Sequence, residues 1–243
     1  MKIVGSGFAS HYFDMRKNPR WILFTFFNLL FCVLSVSCGK GYEDDEKDQR
    51  QEEVAAAQFE AQLNPLNSQI GSYSGILRIT IDDNQFWARL SLNGPYTGSM
   101  NQQYIHMGGR CPTMSDDLNG DRYVDFKEAH NVLGDMLIPL DSILETQMKG
   151  MGNFPKLKKK NSYYYTEATS FSRMMDDLRD VDPFPNDKIS KLSRREGLDL
   201  DRRVVVVYGV SDERRLPASV ESYDGFPTQT TLPIACGEII ETY

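Results

Sequence analysis

The stretch Gly75 to Leu92, GILRITIDDNQFWARLSL, decides the fold class. Its first half is a β-branched run. Asp83-Asn84 is a turn pair, and the second half places Phe86, Ala88, Leu90 and Leu92 at every other position. A side-chain period of two with turn residues between is the pattern of a hairpin with one buried face. Asn93-Gly94-Pro95 closes it. Further short strand signals follow at Gln102–His106, Asp135–Leu140 and Tyr163–Thr169. They continue at Arg203–Val210 (RVVVVYGV, the strongest) and Leu232–Ile240 (LPIACGEII). Val204–Val207 is apolar at every position, so this strand reads as buried on both faces or as a sandwich-core strand. Many short strands between turns predict a mainly β chain: a Greek-key β-sandwich or barrel with short helices and one inserted loop. The helical spacing of Phe171, Met174, Met175 and Leu178 reads as a core-facing stripe, with Asp176-Asp177 on its solvated side.

The inserted loop is Asp117 to Glu128, DLNGDRYVDFKE. Oxygen-bearing side chains stand at loop positions 1, 3, 5, 9 and 12: Asp117, Asn119, Asp121, Asp125 and Glu128. Tyr123 occupies position 7, where a backbone carbonyl suffices, and position 8 is the apolar Val124. This is the ligand pattern of an EF-hand calcium loop. A hard cation takes six to eight oxygens, and a tight loop presents alternate residues to one centre. Position 6 departs from the pattern, because Arg122 stands where glycine is usual and Gly120 sits at position 4. A non-glycine residue with positive φ there costs about 1 kcal/mol. A short helix is expected to leave the loop over Phe126–Leu133. Gly108, Gly109 and Pro112 leave no room for an entering helix, so the expectation is one lone loop in a β domain. The alternative is an acidic surface turn.

At the other end, Lys2, Arg16, Lys17 and Arg20 precede the apolar run Trp21–Val36, which ends at Ser37-Cys38-Gly39. The run is shorter than the roughly 20 residues of a membrane span and reads as a secretory leader over 1–37. Residues 38–70 then read as an acidic, solvated tether, helical from Gln51 to Leu63. The folded domain is expected over 71–243. The net charge of −7 argues against a nucleic-acid partner. Lys156–Lys160 (KLKKK) reads as a solvated loop face.

Cys111 and Cys236 are the two cysteines of the folded part. In an exported chain an even pair reads as one disulfide, worth roughly 4 kcal/mol through loop entropy, with two reduced thiols as the alternative. His106 and His130 are the only histidines beyond His11 of the leader, too few for a copper–zinc redox centre. His106 reads as a hydrogen-bonded structural residue. No G-x-S-x-G elbow, P-loop, G-x-G-x-x-G or H-E-x-x-H motif is present. Tyr163-Tyr164-Tyr165 reads first as strand packing and second as an exposed contact for a protein or glycan.

Several of these pieces together carry a resemblance. The hairpin is followed by Tyr104-Ile105-His106, a glycine-rich segment and Cys111, and the chain closes with Ile234-Ala235-Cys236-Gly237. This resembles the chordin-type (CHRD) domain and, more distantly, the Cu/Zn superoxide dismutase sandwich, in which a loop cysteine bridges to an Ala-Cys-Gly closing strand. One position of the His-x-His pair reads Tyr104, so the resemblance implies the sandwich and the bridge without dismutase chemistry. The order of leader cysteine, hairpin, Cys-Pro-Thr, acidic loop and Pro-Ile-Ala-Cys-Gly resembles bacterial lipoproteins with a single EF-hand site. Ser37-Cys38 at the end of an apolar run resembles the bacterial lipobox, which implies lipidation at Cys38 and anchorage in the cell envelope at the outer membrane or cell surface, with ordinary cleavage nearby or an uncleaved N-terminal anchor as the alternatives; calcium in the loop is expected to be structural. The expected function is that of a calcium-binding exported lipoprotein without enzymatic activity. The alternative is a surface module for a protein or glycan, with calcium incidental.

Overall fold

The computed structural model describes residues 56–95, 97–98, 100–144, 152–157, 161–179, 192–223 and 225–243. The leader, Cys38, the first part of the tether, the end of the Lys156–Lys160 cluster and the Pro183–Pro185 segment lie outside them.

Among the described residues there are nine strands, β1 Ala57–Pro65, β2 Ser74–Asp82, β3 Gln85–Asn93, β4 Gln103–His106, β5 Met136–Pro139, β6 Ser162–Ser170, β7 Val204–Tyr208, β8 Pro233–Glu238 and β9 Ile240–Glu241. Three helices accompany them: α1 Phe126–Leu133, α2 Phe171–Arg179 and α3 Thr228–Thr231. All pairings are antiparallel, in the order β5-β4-β7-β8-β1-β2-β3-β6, with β9 also on β1. The sheet curls on itself. Its β1-β2-β3-β6 half and its β5-β4-β7-β8 half enclose one core, giving a mainly β, sandwich-like fold.

The expected hairpin is β2–β3. Asp82 pairs with Gln85 across Asp83-Asn84, and Asp83 takes φ 51°, a conformation Asp tolerates. Leu77, Ile79, Phe86, Ala88, Leu90 and Leu92 point into the core, where Ile105, Val205, Val207 and Ile234 meet them from the other half. The period-two pattern therefore selects the inner face, as its burial predicts. In β7 the other parity also finds cover. Val204, Val206 and Tyr208 pack outward beneath α1, against Phe126, Ala129 and Leu133. In α2, Met174, Met175 and Leu178 enter the main core.

Residues 57–65, expected to lie in the tether and as helix up to Leu63, form a strand instead. Ala57–Pro65 is a central strand: it pairs with β2 on one side and with β9 and then β8 on the other. Ala61 and Leu63 are buried while Gln58, Gln62 and Asn64 face out. Cross-strand packing of alternate side chains overrides the helix propensity of Ala, Gln and Glu. Among the described residues no helix is long and apolar enough to cross a membrane.

Candidate metal centre

The chain enters the acidic loop from Cys111, whose bridge to Cys236 of β8 is formed, with the two Cα atoms 5.8 Å apart. A single 3₁₀ turn, Met114–Asp116, precedes Asp117 in place of an entering helix. Arg110 grips Asp116 with two guanidinium hydrogen bonds (3.0 and 2.9 Å), and this pair holds the Asp116 carboxyl down at about 2.

Within the loop each candidate side chain accepts backbone N–H groups. Asp117 accepts from Gly120 (2.8 Å) and Arg122 (2.8 Å). Asn119 Oδ1 accepts from Asp121 (2.9 Å), and Asp121 Oδ1 from Tyr123 (2.8 Å). Glu128 Oε1 accepts from Leu118 (2.8 Å) and Asn119 (3.1 Å), so the last position reaches back over the first turn. Asp125 and Glu128 also form the capping box of α1, each carboxylate accepting the other's backbone N–H at 3.1 Å. The chain reverses at Gly120 (φ 75°) and Arg122 (φ 71°). Position 6 thus keeps its left-handed conformation with arginine in place of glycine.

Two outside elements fix the loop, and neither was visible in its motif. Asn67, 2 % exposed, sits in the left-handed region (φ 59°) just after β1. Its amide closes on both sides of Val124: Oδ1 accepts the Val124 N–H (2.8 Å), and Nδ2 donates to the Val124 carbonyl (2.9 Å) and to that of Pro233 (2.9 Å). Gln69 reaches the Arg122 carbonyl. On the other flank, Ser219 Oγ donates to Asp121 (2.6 Å), the Glu221 N–H donates to Asp125 (2.7 Å), and Lys127 pairs with Glu221 (2.8 Å). An Asn after a strand carries a turn signal, but nothing in its local sequence gives a partner far along the chain.

The donor set is all oxygen, the kind a hard divalent cation takes. Each carboxylate oxygen has more than one lone pair, so an N–H bond does not exhaust it. Among the described residues, however, no group of three or more His, Cys, Asp and Glu side chains is gathered closely enough to hold a metal ion. The loop brings its five candidates into one hydrogen-bonded turn without drawing the carboxylates onto a common point. Tyr123 packs its ring against the main core.

The histidines lie elsewhere. His106 is buried in β4 between Tyr208 Oη (2.8 Å) and the Gly134 carbonyl (3.2 Å), the satisfied structural residue its sequence context suggests. His130 stacks on Phe126 and faces Asp135 at 3.5 Å. The tyrosine triplet does not form one exposed patch, because a strand turns alternate side chains to opposite faces. Tyr163 donates to Gln103 (2.7 Å) and Tyr165 to the Asp141 carbonyl (2.8 Å), both inward. Only Tyr164, 66 % exposed, faces solvent.

The fold and the loop define a class: a mainly β sandwich carrying a helix-terminated acidic loop stapled by a disulfide. No protein-family model matches the chain, and no curated protein matches it.

Proposed function

We propose that this protein is an exported, lipid-anchored lipoprotein of the bacterial cell envelope whose Asp117–Glu128 loop takes a structural calcium ion. It is read as a binding protein and not as an enzyme. Asp117, Asn119, Asp121, Asp125 and Glu128 would supply side-chain oxygens, and Tyr123 its carbonyl. The basic leader and Ser37-Cys38-Gly39 support export and lipidation at Cys38. The observation that carries the calcium reading is Arg122 at φ 71°, with Asp117 accepting the Gly120 and Arg122 N–H groups. The backbone holds the reversal a twelve-residue calcium loop needs even though position 6 is not glycine. Four carboxylates within twelve residues repel one another, and a divalent cation relieves that repulsion. The missing entering helix and the Asn67 clamp suit a fixed clasp better than a sensor, which opens a helix pair.

Extracellular calcium modules bind with Kd of about 10⁻⁴ to 10⁻³ M. At an ion concentration about tenfold above Kd, mass action gives roughly 1.4 kcal/mol of stabilisation, a rise in Tm of about 3–5 °C. Thermal melts with calcium at millimolar concentration and with chelator read this directly. Asp117→Ala should abolish the shift and Glu128→Gln should reduce it. An unchanged Tm in millimolar calcium would refute the reading.

A further inference from the structure

The outer face of the β1-β2-β3-β6 half carries a feature that the calcium loop does not use. Arg78 of β2 and Arg89 of β3 are direct cross-strand partners on this exposed face. Like charges set opposite each other destabilise a sheet, so the pair needs a reason in a chain of net charge −7. Glu60 of β1 neutralises Arg78 at 3.0 Å. Arg89 makes no ion pair among the described residues; its guanidinium lies 5.3 Å over the ring of Trp87, which is 38 % exposed. A groove of about 480 Å³ runs beside the two arginines, with Gln58, Thr80, Tyr243 and the Arg78-paired Glu60 also on its wall. Trp87 and Tyr164 are large aromatic side chains exposed on this face, and Tyr243, 83 % exposed, lines the groove beside it.

An aromatic plane, a guanidinium with unused donors and flanking amide and hydroxyl groups each recognise a different part of one kind of ligand. The C–H face of a pyranose stacks on indole, a carboxylate takes the planar fork of arginine, and ring hydroxyls bond amides and hydroxyls. A hexuronic acid joins the first two on a single ring. We infer that this face binds an acidic polysaccharide built of uronic acids, with Trp87 as the stacking platform and Arg89 as the carboxylate anchor. Nucleic acid, with a phosphate at every step, needs an extended basic footprint, which two arginines, one of them paired with Glu60, do not make.

The site is independent of the calcium loop, and its test is run in chelator so that calcium cannot bridge carboxylates. The full chain, in detergent, is run through native gels containing polygalacturonate, neutral dextran or single-stranded oligo-dT. Retardation by polygalacturonate alone is expected, weakening as salt rises. Trp87→Ala and Arg89→Ala should each weaken it by about tenfold or more. Trp87→Phe should retain most of it, and Trp87→Phe and Arg89→Ala should keep the wild-type Tm, while Trp87→Ala, which removes a ring only 38 % exposed, is compared at a temperature where its melt shows it folded. The inference is overturned if polygalacturonate does not retard the protein, if both alanine variants bind as the wild type does, or if oligo-dT binds equally well and is lost in the same variants.

Discussion

Asn67→Ala is the most informative single change. It removes three hydrogen bonds at once and strands the Val124 N–H, the Val124 carbonyl and the Pro233 carbonyl, all at a site from which water is excluded. Each stranded buried group costs about 1–3 kcal/mol. Alanine at φ 59° adds about 1 kcal/mol of backbone strain that Asn tolerates better. Partial relaxation and water entry bring the expected loss to about 3–5 kcal/mol, among the largest for a point substitution. Urea denaturation of Asn67→Ala, Asn67→Gly and wild type separates the two contributions. Glycine accepts positive φ freely, so it should lie about 1 kcal/mol above alanine while sharing the lost bonds. Amide exchange should accelerate across 117–128 before it does in β2 and β3, since the clamp holds the loop to the sheet. A loss below about 1 kcal/mol in Asn67→Ala, or unchanged exchange in the loop, would refute the reasoning.

Three further outcomes are expected. Arg122→Gly relieves the left-handed strain at φ 71° and should raise stability by about 1 kcal/mol in calorimetry, tightening calcium binding in the same titration. Reducing the Cys111–Cys236 bridge removes a cross-link spanning a separation of 125 residues and should cost roughly 4 kcal/mol in denaturant midpoints, with a matching loss in Cys111→Ser/Cys236→Ser. Burial raises the Tyr163, Tyr165 and Tyr208 phenols above their usual range. The folded state therefore holds these protons more tightly than the unfolded chain does. The associated stability is intact below about pH 10 and falls as pH rises beyond it. Phenolate absorbance from these residues should appear together with unfolding in an alkaline titration, and its appearance in a still-folded protein would contradict their burial.

How much the sequence revealed depended on whether the deciding physics was local. The β2–β3 hairpin was legible because alternation and the Asp83-Asn84 turn act within a few residues. β7 was legible because its unbroken valines need cover on both faces, which α1 and the core supply. α1 was expected as the helix leaving the loop, and the structure shows that Asp125 and Glu128, two of the ligand positions, also form its capping box. β1 was misread, since Ala-Gln-Glu composition favours a helix in isolation and only the flanking β2 and β8 make it a strand. The triplet Tyr163–Tyr165 splits between two faces, so strand packing, its first reading, holds for Tyr163 and Tyr165 while Tyr164 faces solvent. Asn67 and Ser219 stayed hidden because they reach the loop from distant parts of the chain. Trp87 and Arg89 carry no motif; their meaning lies in the register that sets Arg89 against Arg78.

The place of β1 has a consequence for how the protein is made. An early strand sits mid-sheet and takes its β8 and β9 partners from the far end of the chain. Until those residues have emerged, β1 keeps an open edge, and such long-range closure makes folding slow. Cys111 likewise meets Cys236 only when β8 docks. Oxidation of that pair therefore marks the docking of β8 between β7 and β1, and a chain cut short before β8 would declare itself by a free Cys111 thiol.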